Sequence, residues 1–299
     1  IWISVFLSVS AYCNAGFDIL GFLKPDASLE LFVGDPLVCL TICCLIILGG
    51  IGFIVTVDLY NWGRKRVRKE ERRPHLTLHT RIVLVSTASL LVLGTVLTLG
   101  LEYDHTLKDL NFWEKLNASF FQSVTARTAG YATIPQGELG DATKLVTIIL
   151  MFIGASPSST GGGIKTTTFV VLVATVVSIS RGRDETVINK RRVDKSVVYR
   201  AMTIVAMAFL VIAITSGVIM VTTPPEVSAI DAVYEAVSAF GTVGLTTGLT
   251  PDLSIVAKIL VMLTMVIGRV GPISLVLALT MKHSGGPGKI LPEGKVIVG

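Results

Sequence analysis

Charged residues are scarce in this chain of 299 residues: they make up 16% of it, and hydrophobic residues make up 51%. Soluble domains carry about 25% charged residues, and their surface helices show a charged face to water. Several apolar stretches here approach the roughly 20 residues that a membrane-spanning helix requires. The scarcity of charge therefore argues against a soluble helical core, and we expect an all-α integral membrane protein.

Cysteine and histidine are also few, at four residues each. The cysteines lie in or beside apolar segments, where a free thiol behaves as a small hydrophobe. His75 and His79 have helical spacing in a basic loop, but zinc would need further ligands that the neighbouring sequence does not offer. The sequence therefore predicts neither a disulfide framework nor a metal centre built from side chains.

The apolar stretches predict five membrane spans, one of them interrupted. They cover about residues 37–60, 82–101, 144–180 with the interruption, 201–222 and 256–281. Two loops between them are basic, because residues 61–81 hold eight Lys or Arg and residues 181–200 hold seven. Short basic loops stay in the cytoplasm, so the net charge of +5 reflects membrane topology. These loops lack aromatic interleaving or a known motif, and no nucleic-acid partner is expected.

A short segment recurs three times at a constant spacing. SAYCNAGF (10–17), VTARTAGY (124–131) and SAFGTVGL (238–245) superpose on Gly16, Gly130 and Gly244, and 130 − 16 and 244 − 130 both equal 114. Each copy follows an amphipathic helix too short to span the membrane. Such a helix points its negative dipole end toward the membrane centre, which favours a cation there. Glycine then permits backbone angles that turn carbonyl groups inward, as in a potassium-selective ring of carbonyls.

The interruption of the third span reads IGASPSSTGGGIKTTTF, residues 153–169. Irregular backbone is tolerated at this depth only where it is buried in protein or lines water. A phosphate-binding loop is one alternative, but Ile164 separates Gly163 from Lys165 and no βαβ unit surrounds the motif. A simple helix kink is the other alternative, although a kink would not require nine polar or small residues.

Together, AYCNAGF, TARTAGY, SAFGTVGLTTGLTP, GASPSSTGGGIKTTTF and IGRVGPIS resemble the membrane subunit of the Trk/Ktr/HKT potassium-uptake superfamily, most closely its bacterial Ktr type. The resemblance runs over residues 1–299. It implies four helix–pore-loop–helix (M1-P-M2) units in a pseudo-four-fold arrangement around one pore. This chain would supply the pore loops of units two, three and four. The first unit and the opening helix of the second, roughly 140 to 150 residues at this period, are expected to lie outside it.

On this scheme each unit has a defined range. Residues 1–60 would hold the pore helix, filter and M2 of unit two, residues 82–180 unit three with its broken M2, and residues 201–281 unit four. Residues 61–81 and 181–200 would be cytoplasmic loops, and residues 282–299 a cytoplasmic tail. The filter segment of the first unit would be outside the chain. In this superfamily that segment is associated with whether transport is strictly selective for potassium or also permits sodium.

The resemblance also implies which residues line the ion path. A potassium filter of backbone carbonyls would comprise Cys13, Asn14, Ala15, Gly16, Arg127, Thr128, Ala129, Gly130, Gly241, Thr242, Val243 and Gly244. An intramembrane gating loop would comprise Gly154, Ala155, Ser156, Pro157, Ser158, Ser159, Thr160, Gly161, Gly162, Gly163 and Lys165. Arg127 is expected to brace its pore loop rather than touch the ion. Arg269, isolated in an apolar span, is expected to form a positive barrier below the filter, with a salt bridge or carbonyl clamp as the alternative.

The partners follow from the same resemblance. It implies a homodimer in the cytoplasmic membrane, resting on a cytosolic ring of nucleotide-binding regulatory subunits of the KtrA type, which would carry ATP or ADP. The chain itself would need no cofactor, potassium would be its substrate, and stimulation by sodium is left open. Anionic lipid headgroups are an equally physical partner for the basic loops.

Two other classes of function remain as alternatives to potassium uptake. A cation-coupled solute symporter also uses broken helices, but it would have halves of inverted topology, whereas these copies repeat in one direction. An intramembrane enzyme would pair His, Asp or Glu within its spans, and Asp58 near a span end is weak support for that. We therefore expect a channel-like pore.

Overall fold

The computed structural model describes residues 1–24, 28–68, 75–183, 185–224 and 227–271. Within these ranges the regular secondary structure is helical, apart from one small antiparallel hairpin. The helices are α1 (Trp2–Tyr12), α2 (Pro36–Gly50), α3 (Phe53–Val67), α4 (Leu78–Glu102), α5 (Phe112–Thr125), α6 (Asp141–Phe152), α7 (Thr166–Ser180), α8 (Lys195–Thr222), α9 (Ala229–Gly241) and α10 (Ile255–Val270). Single 3₁₀ turns occupy Glu30–Phe32, Gln136–Glu138 and Thr250–Asp252.

Two of the described helices are long and apolar enough to cross a membrane as single rods. These are α4, with 25 residues, and α8, with 28. Large apolar side chains such as Val92 and Leu210 are exposed on them, as expected where the solvent is lipid. The short helices α5 and α9 have 14 and 13 residues. At 1.5 Å per residue they are too short to span a hydrocarbon core of about 30 Å, which agrees with the sequence pattern.

The predicted span 37–60 is not one straight helix. It divides into α2 and α3, which meet at an angle of 98°. The break falls at Gly52, whose φ of 87° is a conformation that a residue with a Cβ rarely adopts. The sequence analysis placed an interruption only in 144–180, where α6 and α7 flank residues 153–165.

The last predicted span, 256–281, is described only in its first part. Helix α10 ends at Val270, and Gly271 follows with a φ of 89°. A glycine of positive φ thus follows the cap residue Ile51 of α2 and forms the cap of α10. The remainder of that span and the predicted tail 282–299 lie outside the described residues, as do residues 69–74 of the first basic loop.

Helices α5 and α9 occupy the centre of the packing. Helix α5 packs against α4 and α2, and α9 packs against α8, α6 and α10. One apolar core surrounds α9 and contains Tyr234 and Phe240, and a second joins α1, α2 and α5 around Phe121 and Tyr131. The order α4, α5, α6 recurs as α8, α9, α10, so each repeated segment is brought to the middle of the molecule by its short helix.

The second basic loop contains a feature that the sequence analysis did not predict. Strands β1 (Val187–Ile188) and β2 (Arg191–Arg192) pair antiparallel. Asn189 and Lys190, at the turn, have φ values of 49° and 63°. Two consecutive residues of positive φ are typical of a type I′ turn, whose twist suits a two-residue hairpin loop.

Candidate functional site

Each short helix ends in a loop that a side-chain hydroxyl holds closed. In every case a Ser or Thr near the end of the helix donates to the carbonyl of the residue just beyond the repeated glycine. The pairs are Ser10 to Phe17 (2.8 Å), Thr125 to Tyr131 (2.6 Å) and Ser238 to Leu245 (2.6 Å). The three loops therefore have the same local construction, although their sequences differ.

The backbone angles of these loops repeat as well. The filter segments, which we define as residues 13–16, 127–130 and 241–244, each contain two residues of positive φ. The first is Asn14 (50°), Thr128 (72°) or Thr242 (49°), and the second is Gly16 (69°), Gly130 (89°) or Gly244 (92°). Side chains with a Cβ seldom adopt such angles, so all three segments share an uncommon conformation at equivalent positions.

The filter segments also lie side by side. A Cβ built on Gly16 would lie 2.4 Å from the carbonyl oxygen of Ala129, and one built on Gly130 would lie 2.4 Å from that of Val243. The same position on Gly130 is 3.4 Å from the Cα of Gly244. Real Cβ atoms do not approach oxygen this closely, so only glycine allows the segments to pack at this distance. Residues that are 114 apart in sequence are thus brought into one cluster.

The interrupted helix lies directly against the filter segments. A Cβ on Gly161 would lie 2.1 Å from Thr128 Oγ1, and one on Gly162 would lie 2.3 Å from Thr242 Oγ1. Both threonine hydroxyls are buried and have no hydrogen-bond partner among the described residues. Two of the consecutive glycines therefore allow the loop to approach two filter segments at van der Waals distance.

The remaining filter segment, residues 13–16, contacts Thr160, the residue before these glycines. When the Asn14 amide is oriented to satisfy its neighbours, its oxygen accepts from Thr160 Oγ1 at 3.2 Å. Amide orientation is assigned from such a network rather than seen directly. Residues 160, 161 and 162 thus each contact one of three positions that are equivalent in the repeats, 14, 128 and 242.

The loop that we call the gating loop, residues 153–165, is held by backbone hydrogen bonds to the break between α2 and α3. The Ser156 amide donates to the carbonyl of Gly50 at 3.1 Å, and the Phe53 amide donates to the carbonyl of Ser158 at 3.0 Å. A Cβ on Gly52 would lie 2.4 Å from the Pro157 carbonyl oxygen. The bend at Gly52 therefore provides the surface on which the loop rests.

Two cationic side chains bind carbonyl groups of the same loop. Lys165 Nζ donates to the Gly161 oxygen at 2.7 Å, and the Arg269 guanidinium donates to the Thr160 oxygen. Ile153 and Ile164 pair as a short parallel bridge that joins the two ends of the loop. The predicted gating residues thus form one compact unit, and Arg269 makes the contact that the carbonyl-clamp alternative describes.

Arg127 lies just after the end of α5, in the second filter segment. Its side chain is buried and borders a cavity of about 10 Å³ that Gly50 and Ala155 also line. A space of this size admits no more than about one water molecule. Arg127 thus lies between the end of α5 and the residues around Gly50 and Ala155, and its bracing role stays a prediction.

A buried polar network supports the segments from outside, and the sequence analysis missed it. Gln122 and Gln136 exchange amide hydrogen bonds of 2.7 and 3.0 Å, and Tyr234 donates to Gln136 Oε1 at 2.8 Å. Glu235, on the same short helix as Tyr234, accepts from the Thr247 amide at 3.1 Å. Polar residues at mid-helix in α5 and α9 were the available signal for this network.

A wider cavity of about 360 Å³ lies on the other side of the filter from the gating loop. Its lining includes the three repeated glycines together with the carboxylate residues Asp18 and Glu30. Lys24 also lines it and pairs with Glu30 at 3.2 Å. The glycine cluster is therefore open on its outer side to a polar vestibule.

Comparison with known proteins gives consistent results. Residues 1–286 match the model of the TrkH family, described as cation transport protein. The chain is 38% identical to the Ktr system potassium uptake protein B of Bacillus subtilis over 99% of its own length and 63% of that protein. It is 39% identical to the potassium/sodium uptake protein NtpJ of Enterococcus hirae over 100% of its length and 64% of that protein. The chain thus spans about three fifths of these relatives.

The fold comparison points the same way. The crystal structure of the potassium transporter TrkH from Vibrio parahaemolyticus aligns with a TM-score of 0.68 at 19% identity. The alignment covers 91% of this chain and 57% of that structure. At this identity the likeness concerns the fold alone.

Proposed function

Because the chain belongs to the TrkH family of cation transport proteins, which are ion transporters rather than enzymes, we propose that it forms part of a channel-like pore for potassium uptake across the cytoplasmic membrane. The relatives described above are named for potassium or potassium/sodium uptake. In this proposal the pore belongs to the whole transporter and has four pseudo-symmetric M1-P-M2 units. Residues 1–60, 82–180 and 201–281 contribute units two, three and four.

The proposal rests on the contact of the three filter segments. Their shared residues of positive φ, and the approach of Gly16 to Ala129 and of Gly130 to Val243, support an arrangement of three equivalent stretches of backbone around one ion path. A ring of carbonyl oxygens can replace the hydration shell of potassium. The C-terminal ends of α1, α5 and α9 lie at the same segments, and the partial negative charge of helix C-termini favours a cation there.

In this proposal the gating loop closes the path on the inner side of the filter. Its residues 160–162 lie against the three filter segments, and its contacts with Gly50 and Arg269 come from other units. A gate needs two arrangements of similar free energy. Hydrogen bonds to backbone carbonyls can be exchanged for water, and three consecutive glycines lower the cost of changing backbone angles.

Control of the gate would come from outside the membrane. We propose a homodimer that docks on cytosolic nucleotide-binding subunits of the KtrA type, with ATP or ADP bound to those subunits. The names of the Ktr-system relatives support a membrane component that works with other subunits. Such a partner shifts the gate only by binding one arrangement more tightly than the other.

The test uses Gly130→Ser in the whole transporter, reconstituted in vesicles, with potassium and sodium uptake measured separately. A Cβ at this position meets the Val243 oxygen and requires a strained φ of 89°, so the preference for potassium over sodium should fall. Gly248→Ser is the matched control, because Gly248 also has a positive φ of 96° but no atom lies within 4 Å of its ideal Cβ. A folded Gly130→Ser protein with unchanged discrimination would contradict the filter assignment.

A further inference from the structure

A groove on the outside of α7 is apolar along its length and cationic at one end. It has a volume of about 280 Å³. The lining residues are Phe169, Val170, Val173, Ala174, Val177, Ser178, Arg181, Arg183 and Val187. The apolar side chains come mainly from one face of α7, and the two arginines lie just after the last turn of that helix.

The end of α7 fixes the position of the two arginines. The Gly182 amide donates to the Ile179 carbonyl at 2.8 Å, and the Arg183 amide donates to the Ser178 carbonyl at 3.0 Å. With Gly182 at a φ of 69°, these two bonds form a Schellman motif, which reverses the chain after a helix. Arg183 is thereby turned back over the last turn of α7, beside Arg181.

The hairpin forms the other wall and is attached to α7. The Val187 amide donates to Ser178 Oγ at 3.3 Å, and the hydroxyls of Thr175 and Thr186 are hydrogen-bonded at 2.9 Å. Thr175 and Thr186 are both buried. The groove is therefore part of the packed structure rather than a gap beside a loose loop.

The charges at the end of the groove are available to a ligand. Within the described ranges neither Arg181 nor Arg183 has a side-chain hydrogen bond or an ion pair, and both side chains are exposed. Arg192 on the neighbouring strand differs, because it pairs with Glu185 at 2.9 Å. Two guanidinium groups thus stand together where an apolar groove ends.

We propose that this groove binds one anionic phospholipid, with an acyl chain along α7 and the phosphate between Arg181 and Arg183. Guanidinium groups bind phosphate oxygens through paired hydrogen bonds. From residue 169 to residue 181 the helix rises about 18 Å at 1.5 Å per residue, which is close to half of a bilayer core of about 30 Å. An acidic protein segment would match the arginines but would leave the apolar part of the groove unfilled.

The site is placed to act on the gating loop. Helix α7 begins at Thr166, directly after Lys165, so a lipid that holds α7 in one position also holds one end of the loop. The effect on the gating loop rests on the proposed function. Lipid binding does not rest on that function, because it can be measured without any ion flux.

The binding test uses the whole transporter, purified in detergent, with phosphatidylglycerol and phosphatidylcholine as probes and native mass spectrometry as the readout. Arg181→Gln with Arg183→Gln should weaken phosphatidylglycerol binding by about thirtyfold, since each basic residue near an anionic surface contributes about a factor of five. Phosphatidylcholine, whose phosphate charge is offset by its own choline group, should bind the unchanged protein more weakly and lose less binding in that variant. Ala174→Phe, which fills the groove and keeps the charges, should weaken the binding of both lipids.

A matched control separates the groove from general surface charge. Lys190→Gln with Arg200→Gln removes the same charge from the hairpin turn and the first turns of α8 without touching the groove lining, and it should leave phosphatidylglycerol binding unchanged. An equal loss in this control would overturn the proposal in favour of diffuse attraction. Full phosphatidylglycerol binding in both groove variants would also overturn it.

Two further outcomes distinguish other occupants and the link to the gate. Disulfide cross-linking of two subunits through Val173→Cys would show that a second copy of the chain fills the groove, and would overturn lipid binding there. If lipid binding follows the expected pattern but potassium flux does not respond to phosphatidylglycerol, the lipid site is supported. The proposed effect of the bound lipid on the gating loop is then wrong.

Discussion

Arg269, one residue before the end of α10, donates a hydrogen bond to the backbone carbonyl of Thr160, which lies 109 residues earlier in the chain. The Thr160 amide in turn donates to the Gly49 carbonyl of α2 at 3.4 Å, and its hydroxyl lies 3.3 Å from the Tyr12 carbonyl of α1. One residue of the gating loop is thus held by α1, α2 and α10, which are remote from it in sequence. Helix α10 can influence the loop because its arginine reaches this point.

Replacing Arg269 with Gln should raise basal potassium flux. A hydrogen bond from a charged donor contributes about 1.5–3 kcal/mol, so its loss should shift the loop toward its open arrangement by roughly tenfold or more. The ratio of potassium to sodium uptake should stay the same, because the filter segments keep their own contacts. Flux into vesicles that contain the whole transporter is the measurement.

Two companion variants test the cause of that change. Arg269→Lys keeps the charge but loses the planar guanidinium, so its flux should lie between wild type and Arg269→Gln if both charge and geometry matter. Arg200→Gln, at an exposed position in α8, controls for loss of charge alone. An Arg269→Gln protein with normal flux but a lower unfolding temperature would reduce the arginine to a structural clamp.

The effect of a glycine-to-alanine change on stability should depend on which atoms pack against that glycine in the folded protein. A Cβ on Gly268 would lie 1.8 Å from the carbonyl oxygen of Phe240 at the end of α9, where the backbone cannot yield easily. Gly268→Ala should therefore lower the free energy of unfolding by about 2 kcal/mol or more. Thermal unfolding in detergent would show this as a lower midpoint.

Gly217→Ala provides the comparison for that variant. Gly217 lies within α8 and no atom is within 4 Å of its ideal Cβ, so this change should stabilise the helix by about 0.5–1 kcal/mol. If Gly268→Ala were as well tolerated as Gly217→Ala, the close approach of α10 to the end of α9 would not exist in the folded protein.

The repeated segments could be predicted from sequence because their signals are local. A short helix, a polar residue and a glycine recur at a fixed interval, and the positive φ values at Gly16, Gly130 and Gly244 follow from the residue type that tolerates them. The positive φ values at Thr128 and Thr242 could not be predicted, because β-branched residues rarely adopt them. The short length of α5 and α9 was visible in the sequence, since polar loops bound each of these helices.

The bend at Gly52 could not be predicted in this way. The sequence around it, LGGIGFIVTV, has Thr56 as its one polar residue. Glycines in such a run are compatible with a straight helix, and here the bend is stabilised by contacts with Pro157 and Ser158, which are remote in sequence. The contacts of residues 160–162 with the filter segments could not be predicted for the same reason, because each contact joins residues that are remote in sequence.

The sequence analysis also did not identify the ion pair between Lys144 and Asp231. Replacing Asp231 should lower the stability of the protein more than replacing Lys144. Lys144 in α6 donates to Asp231 in α9 at 2.9 Å, with side chains that are 8% and 22% exposed. Asp231→Asn leaves the more buried ammonium unpaired and should cost about 1–3 kcal/mol of stability. Lys144→Met leaves a carboxylate that can reach water more easily and should cost less.

Thermal unfolding of the two single variants and of Lys144→Met with Asp231→Leu would measure this difference. The double variant should recover part of the loss, since replacing both charges removes the unpaired group. Equal losses in both single variants, with no recovery in the double variant, would mean that side-chain packing rather than charge accounts for the effect.

Shortening the gating loop tests the proposed gate most directly. Deletion of Ser158 to Gly162 removes the contacts with Phe53, with Arg269 and with the three filter segments. The ends of the loop are already adjacent at the bridge between Ile153 and Ile164, so α6 and α7 should still be joined without large strain. Basal potassium flux should rise, and the potassium preference of the filter should remain.

The shortened protein should also depend less on its cytosolic partner. A regulatory subunit acts by differential affinity for two arrangements of the loop, and a loop that no longer reaches the filter leaves it little to regulate. Flux would be measured with and without the partner and its nucleotide, with Ser159→Ala as a control that keeps the loop length. A shortened transporter that remains closed and still responds fully to the partner would place the gate elsewhere, because the contacts of residues 160–162 would then be dispensable for closure.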